Sequence, residues 1–575
     1  MAQAIFFGWF AAVVPAHPRL QVSKVGAAHG MLVSVQPLQL APGLRPLAAH
    51  LPQGLHTSRS PRKAYCRRAE RTAAAALAGA LAAAASKVPR RWRGRRSWGA
   101  LARQSAVQRA AMSDDFLEFV ERTGSPAHTV IAAKARLEQA GFQELKEGTS
   151  WQLERGGRYF VTQQGTSICA FAVGGAFDAS EGGVVIAAAH TDSPCLKLRP
   201  CSKVPEKAGT VQLGVDTYGG GLWHTWFDRP LGFAGKVVVA THPEDGSTPG
   251  IEERLVRVPK PVCVIPNLAI HLQTPEERKA FAFNKETQLR PVLCAPCGAG
   301  PPGDAAAKPL LEAPKIRGPQ HHEALLAEAA QAAGVDAEHI LDVDLCLMDA
   351  TPACAMGPYV SSPRIDNVLS TWAAVDAIAA FATSEAFGAS CDIAVAASFD
   401  HEEVGSVSAA GADSAVLERW LERALAGLGG AQWHELAARS FLLSCDCAHG
   451  LHPNYADKHQ AEHQPLLGDG VVIKTNANQR YATTPTLAAM VRELGRRAEV
   501  PIQEFVVRND CPCGSTIGPL LSAQLGVRTV DVGAPQWAMH SCRETAHGAD
   551  VEALRELCRG LFMHFRSVDK TTSCL

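Results

Sequence analysis

Two adjacent carboxylates, Glu402 and Glu403, follow a short apolar run in the stretch CDIAVAASFDHEEVGS, residues 391–406. Asp392 to Ser398 is short, almost wholly apolar and bounded by polar residues, the pattern of a strand covered on both faces. Gly405 and the small residues after it turn the chain away from the sheet. Two like charges at the end of a buried strand are costly unless a cation lies beside them, and a metal ion is the usual answer. One carboxylate can then bind metal while its neighbour stays free to move a proton. Similar residues end other apolar runs. His190 and Asp192 follow Val184 to Ala189, Asp446 closes SFLLSCD, His540 lies a short loop beyond RTVDVG, and Asp366 sits in SSPRIDN just before a helical stretch. Imidazoles mixed with carboxylates suit zinc, or manganese or cobalt, and a carboxylate can bridge two ions.

The spacing of apolar residues supplies a scaffold that brings these groups together. From about Leu369 onward, helical patterns alternate with short apolar strands: helix to Thr383, strand to Ser398, helix Ser414 to Leu428, strand Phe441 to Cys445, helix Thr486 to Arg497, strand Gln503 to Val507, helix Thr516 to Leu525, strand Arg528 to Val532, and a closing amphipathic helix, Val551 to Val568. Two helices, opening near Ser113 and at Thr129, and strands at 159–162, 168–173 and 184–189 precede this series. The pattern predicts an α/β fold with a mixed, mainly parallel sheet flanked by helices, and such sheets place their sites beyond the carboxyl ends of their strands. Residues 196–355 read differently, as short β-rich pieces, and are expected to form an inserted domain between the two parts of the α/β domain, 112–195 and 356–575. The Pro, Gly and Ala-rich stretch 295–319 reads as a loop.

The chain has 575 residues, 47% of them hydrophobic, enough for two or three domains. Its zero net charge hides a division. Residues 1–111 carry 17 Lys and Arg but one acid, Glu70, which leaves 39 bases against 55 acids beyond them. The acidic remainder argues against nucleic-acid binding, and no stretch of about 20 uncharged apolar residues suggests a membrane span. The first 111 residues, rich in Ala, Arg and Ser with RRWRGRR at 90–96, have the composition of an organelle transit peptide. That composition points to a plastid, with mitochondrion or cytoplasm as alternatives. The 17 cysteines follow no framework spacing and read as mostly reduced thiols.

The segments AAHTDSPCLKLRP, YGGGLWHTWFDR, IPNLAIHLQ, SSPRIDN, FDHEEVGS, AHGLHPNYADKH, NQRYATT, VRNDCPCGSTIGP and APQWAMHSCRE, in this order across about residues 115–570, resemble the aspartyl aminopeptidases. The resemblance implies a zinc-peptidase-type fold split by a β-rich dimerisation domain, two divalent ions per subunit, and dimers assembled into a dodecamer. It implies His190, Glu403, Asp446 and His540 as metal ligands with Asp366 as the bridge, Asp192 as the residue that orients His190, and Glu402 as general base. It also implies a pocket of Lys474, His449 and Tyr481 for peptides that begin with Asp or Glu, and His271 as a residue that reaches a neighbouring subunit's site. A free α-amino group bound at one metal would restrict cleavage to the first residue. His401, where the family often has Asn, and Asn267 depart from the pattern, and neither is an implied ligand. Two rivals remain: a two-metal deacylase of amino-acid conjugates would lack a cation such as Lys474, and a catalytically silent assembly protein would lack Glu402 or a ligand. A fluorescent protein fused behind residues 1–111 is expected to enter a plastid or a mitochondrion; diffuse cytosolic signal would refute that reading.

Overall fold

The computed structural model describes residues 114–241, 250–294 and 320–572. The leader expected at 1–111 and the loop expected at 295–319 lie outside the described residues. After a helix over 114–122 and a second, Pro126–Gln139, the chain lays down β1 (Gln143–Glu144), β2 (Arg158–Gln163), β3 (Ser167–Val173) and β4 (Val184–His190). It then leaves for a second sheet, β5 (Cys195–Lys203), β6 (Leu213–Tyr218), β7 (Leu231–Thr241), β8 (Gly250–Val264), β9 (Val292–Leu293) and β10 (Ile340–Asp349). Short strands β11 (Cys354–Met356) and β12 (Tyr359–Ser362) lead to helix Ile365–Ala382 and back to the first sheet at β13 (Ile393–Phe399) and β14 (Phe441–Cys445). β15 (Ala448–His449), β16 (Val471–Lys474), β17 (Ile502–Phe505), β18 (Arg528–Gly533), β19 (Pro535–Trp537) and β20 (Glu544–His547) precede the last helix, Gly548–Asp569.

Among the described residues the large sheet has the order β1-β2-β3-β13-β4-β14-β18-β16-β17. Its centre, β13-β4-β14-β18, runs parallel, while β3 and β16 pair antiparallel with that block, so the sheet is mixed. Alternate residues face alternate layers, as strand geometry requires. Val185, Ala187, Ala394, Leu443 and Val530 pack under helices Ile365–Ala382, Pro485–Arg497 and Gly548–Asp569. Ile186, Ala188, Val395 and Leu442 pack on the other side against Trp420, Leu421 and Leu521. Helix Ile365–Ala382 is apolar enough to cross a membrane by composition, yet 83% of it is buried, and Trp372, at 0% exposure, shows it to be a core helix.

The sheet of β5 to β10 has its own core around Trp223, Trp226, Phe233 and Leu345, closed on one side by helix Glu323–Ala333. β8 is far longer than the five residues legible as a strand at 261–265, because charged residues such as Glu252, Glu253 and Arg254 interrupt its apolar pattern on an exposed face. A third sheet, β11-β12-β20-β19-β15, is made of strands of two to four residues. It was not anticipated, because runs that short carry no readable period. The described cysteines are free thiols.

Candidate active site

The four parallel strands end on one edge. β4 closes with His190; β13 runs out through Phe399 and Asp400 into the short helix Glu402–Val404; β14 is followed at once by Asp446. Asp366 enters from the start of helix Ile365–Ala382, where the backbone of Asp366 and Asn367 departs from helical angles. His540 comes from the loop between β19 and β20, with a positive φ of 66°.

These residues form one cluster with Asp366 at its middle. His190 Nε2 lies 3.5 Å from Asp366 Oδ1, 3.8 Å from Glu402 Oε2 and 3.9 Å from Asp446 Oδ1. His540 Nε2 lies 3.4 Å from Asp366 Oδ2 and 3.4 Å from Glu403 Oε2. The two oxygens of Asp366 thus face two different imidazoles. Three groups each offer ligand atoms within 4.8 Å of one another: His190, Asp366 and Asp446; His190, Glu402 and Glu403; Asp366, Glu403 and His540. Two ligand atoms about 2.1 Å from one zinc ion in a tetrahedron stand about 3.4 Å apart, and the candidate ligand atoms here lie 3.4 to 3.9 Å apart.

The electrostatics point the same way. Asp192, Asp366, Glu402, Glu403 and Asp446 converge, and Lys474 is the cation among the described residues that touches them. Asp366 Oδ1 and Glu403 Oε1 are buried and accept no hydrogen bond from the described residues. Burial pushes Glu402 up to about 7, helped by Asp446, Asp192 and Asp366 and opposed by His190. Glu403 is raised well above the usual carboxylate range by burial and by Asp366. Burial disfavours a charged imidazole, yet the carboxylates outweigh it: His190 is raised well above its ordinary value and His540 to about 10. Without metal, protons gather where negative charge is in excess. Divalent cations would neutralise that charge and release the protons. The donors therefore fit two divalent ions, with Asp366 placed between them.

One support was invisible as chemistry in the sequence, and a second, Asp192, was expected there. Glu544 accepts hydrogen bonds from the backbone N–H groups of Asp366 (2.9 Å) and His540 (2.7 Å), fixing one ligand candidate against another. Asp192, at 1% exposure, has Oδ1 3.3 Å from His190 Nδ1 and accepts the backbone N–H groups of Glu402 and Glu403, each at 3.1 Å. Glu544 lies four residues past His540 in HSCRE, within a segment already marked by the resemblance, but nothing in its residue type says that it holds backbone amides.

Beside the cluster, Lys474 is 2% exposed, with Nζ 3.3 Å from Asp446 Oδ2, 3.3 Å from the Cys447 carbonyl and 5.2 Å from the centre of the Tyr481 ring. Burial opposes its charge, but Asp446 and Tyr481 hold the ammonium above the ordinary lysine value. His449 stands near, its side chain open to solvent yet its pKa lowered by partial loss of water around the ring and by Lys474. His271 is not among them: it sits on an exposed turn, Ile270–Leu272, beside exposed Leu268, Ile270 and Leu272.

The family profile "Aminopeptidase I zinc metalloprotease (M18)" matches residues 119–562. The chain belongs to the M18 aminopeptidase family. It is 42% identical over 452 residues to an aspartyl aminopeptidase of Caenorhabditis elegans, covering 78% of this chain and 94% of that one. It is 43% identical over 479 residues to aspartyl aminopeptidase 4 of Saccharomyces cerevisiae, covering 79% and 95%. Among solved structures, one described as the Ape4 and Nbr1 complex aligns with TM-score 0.75 and 38% identity over 81% of this chain and 88% of that one. The S. cerevisiae mApe1 dodecamer aligns with TM-score 0.69 and 27% identity over 80% and 99%. This M18 chain is thus a hydrolase, and zinc is the metal its family profile names.

Asp366→Ala is expected to abolish tight metal binding as well as activity, since both imidazoles face that carboxylate. Elemental analysis finding two ions still bound per chain would show that Asp366 does not lie between them.

Proposed function

We propose that this M18 enzyme releases N-terminal Asp and Glu from peptides. The observation that carries the substrate class is Lys474, a buried ammonium at the rim of the carboxylate cluster. A buried cation rewards a substrate carboxylate and penalises a neutral side chain, because its own desolvation is already spent in the fold. His449 and Tyr481 complete the pocket.

His190, Asp446, Glu403 and His540, with Asp366 between them, would hold two divalent ions, zinc by the family's description. Bound there, such ions supply Lewis acidity for the scissile carbonyl and bring the pKa of a water toward about 7. Glu402 takes the proton from the attacking water and returns it to the leaving amine. Its place supports this role: it follows a rigid strand, its backbone N–H is tied to Asp192, and its carboxylate is partly open to the site. Asp192 holds the His190 ring so that Nε2 faces the cluster. The sheet of β5 to β10 is proposed as the assembly domain. Its exposed apolar rim at Leu268, Ile270 and Leu272 presents His271 to a second subunit, in an oligomer such as the dodecamer described for the mApe1 relative. The basic leader is proposed to direct the chain to a plastid.

Glu402→Gln should lower kcat by about 10²–10⁴-fold while metal stays bound, given the usual size of general-base effects. Activity within about tenfold of wild type would sink the assignment. Lys474→Met should cut kcat/KM for aspartyl and glutamyl substrates by roughly two orders of magnitude or more, in line with a cost of about 2–5 kcal/mol for breaking a buried charge pair. Slow hydrolysis of alanyl substrates should change far less. Because Lys474 also touches Asp446, metal content is measured alongside; equal loss on both substrate classes would place Lys474 in support of the metal site and not in the pocket.

A further inference from the structure

The residues that hold the candidate ligands in place do not all belong to the sheet that carries those ligands. β6 of the second sheet ends at Tyr218, and the four residues after it pass directly over the cluster. The Tyr218 hydroxyl donates to Asp192 Oδ2 at 2.7 Å, the same oxygen that accepts from Glu403 N–H. Gly219 has a φ of +80°, and a Cβ built there would lie 3.1 Å from Glu403 Cβ, so the turn rests closely on that ligand candidate and a side chain there would be strained and crowded. The Gly220 carbonyl is 3.2 Å from His540 Nδ1. A proton on Nδ1 donated to that carbonyl leaves Nε2, the atom facing Asp366 and Glu403, with its lone pair free. Leu222 N–H donates to the His540 carbonyl at 2.8 Å.

We propose that the segment Tyr218 to Leu222 of the inserted sheet positions both halves of the metal centre, with Tyr218 acting on His190 and the Glu402–Glu403 backbone through Asp192, and Gly220 acting on His540. One short segment reaches both imidazoles that Asp366 separates. Without Tyr218, Asp192 keeps its backbone donors but loses the hydroxyl that pins it from the far side. Without the Gly220 carbonyl, no described residue on that side of His540 selects the tautomer. The inserted sheet is then more than a spacer: displacing it is felt as loosened metal. The inference rests on the reading of the cluster as a two-metal site.

The test uses the purified full chain and its Tyr218→Phe variant, which keeps the ring and removes one donor. Zinc affinity is measured by competition with a chromophoric chelator, and the visible spectrum is recorded with Co2+ in place of zinc. Loss of a partner that orients a metal ligand usually weakens binding about 10–100-fold. Tyr218→Phe is therefore expected to lose zinc affinity by that factor for at least one ion, to alter the cobalt spectrum, and to lower kcat with KM nearly unchanged, at wild-type oligomer size. Gly219→Ala, which pushes the turn off Glu403 without removing any polar group, should do the same. The proposal is overturned if folded Tyr218→Phe holds zinc within about twofold of wild type with an unchanged cobalt spectrum. It is equally overturned if Tyr218→Phe fails to fold and a folded Gly219→Ala binds zinc normally. Wild-type chain that binds no zinc or cobalt would instead refute the two-metal reading itself.

Discussion

Buried negative charge in excess of its protein partners is the constraint on which the site depends. Asp192, Asp366, Glu402, Glu403 and Asp446 meet at the ends of parallel strands, and Lys474 is the one Lys or Arg among the described residues that forms an ion pair with them. A fold cannot keep that many carboxylates out of water without cations or protons, and the crowding favours the protonated forms of His190, His540, Glu402 and Glu403 together. The surrounding hydrogen bonds keep the arrangement from relaxing. Glu544 clamps the backbones of Asp366 and His540, and Asp192 clamps those of Glu402 and Glu403, so the carboxylates are held at spacings that suit an ion instead of swinging apart. Lys474 has a double place in this balance, as a partner of Asp446 and as the cation of the proposed substrate pocket.

Much of this was legible in the sequence for a physical reason. His190, Glu402, Glu403 and Asp446 each follow an apolar run whose periodicity marks a buried strand, and parallel sheets gather such ends on one edge. Asp366 and His540 were legible through the motifs around them and not through periodicity, since one starts a kinked helix and the other occupies a loop. What escaped was whatever depends on contacts between distant segments. Glu544 and Tyr218 act by hydrogen bonds to atoms that a motif does not name, and both sat unassigned inside the segments APQWAMHSCRE and YGGGLWHTWFDR. The small sheet that carries His449 and Glu544 is built of strands too short to show an alternation. β8 was cut short because its exposed face is charged. His271 lies on an exposed turn outside the cluster, so no contact within the described residues assigns it a role.

The order of the strands has a consequence in time. β4, which carries His190, pairs with β13 and β14, strands made about two hundred residues later, and the inserted sheet is synthesised in between. Contacts between segments so distant in the chain form late and slowly. Until those strands have been made, His190 has neither of the partners that flank it, and His540 and Glu544 follow about 350 residues after it. A chain made only as far as the inserted sheet therefore holds His190 without Asp366, Glu403, Asp446 or His540, and its donor set is incomplete. The donor set is completed only when segments from both sides of the inserted sheet have come together, so hydrolysis has to wait for that long-range assembly.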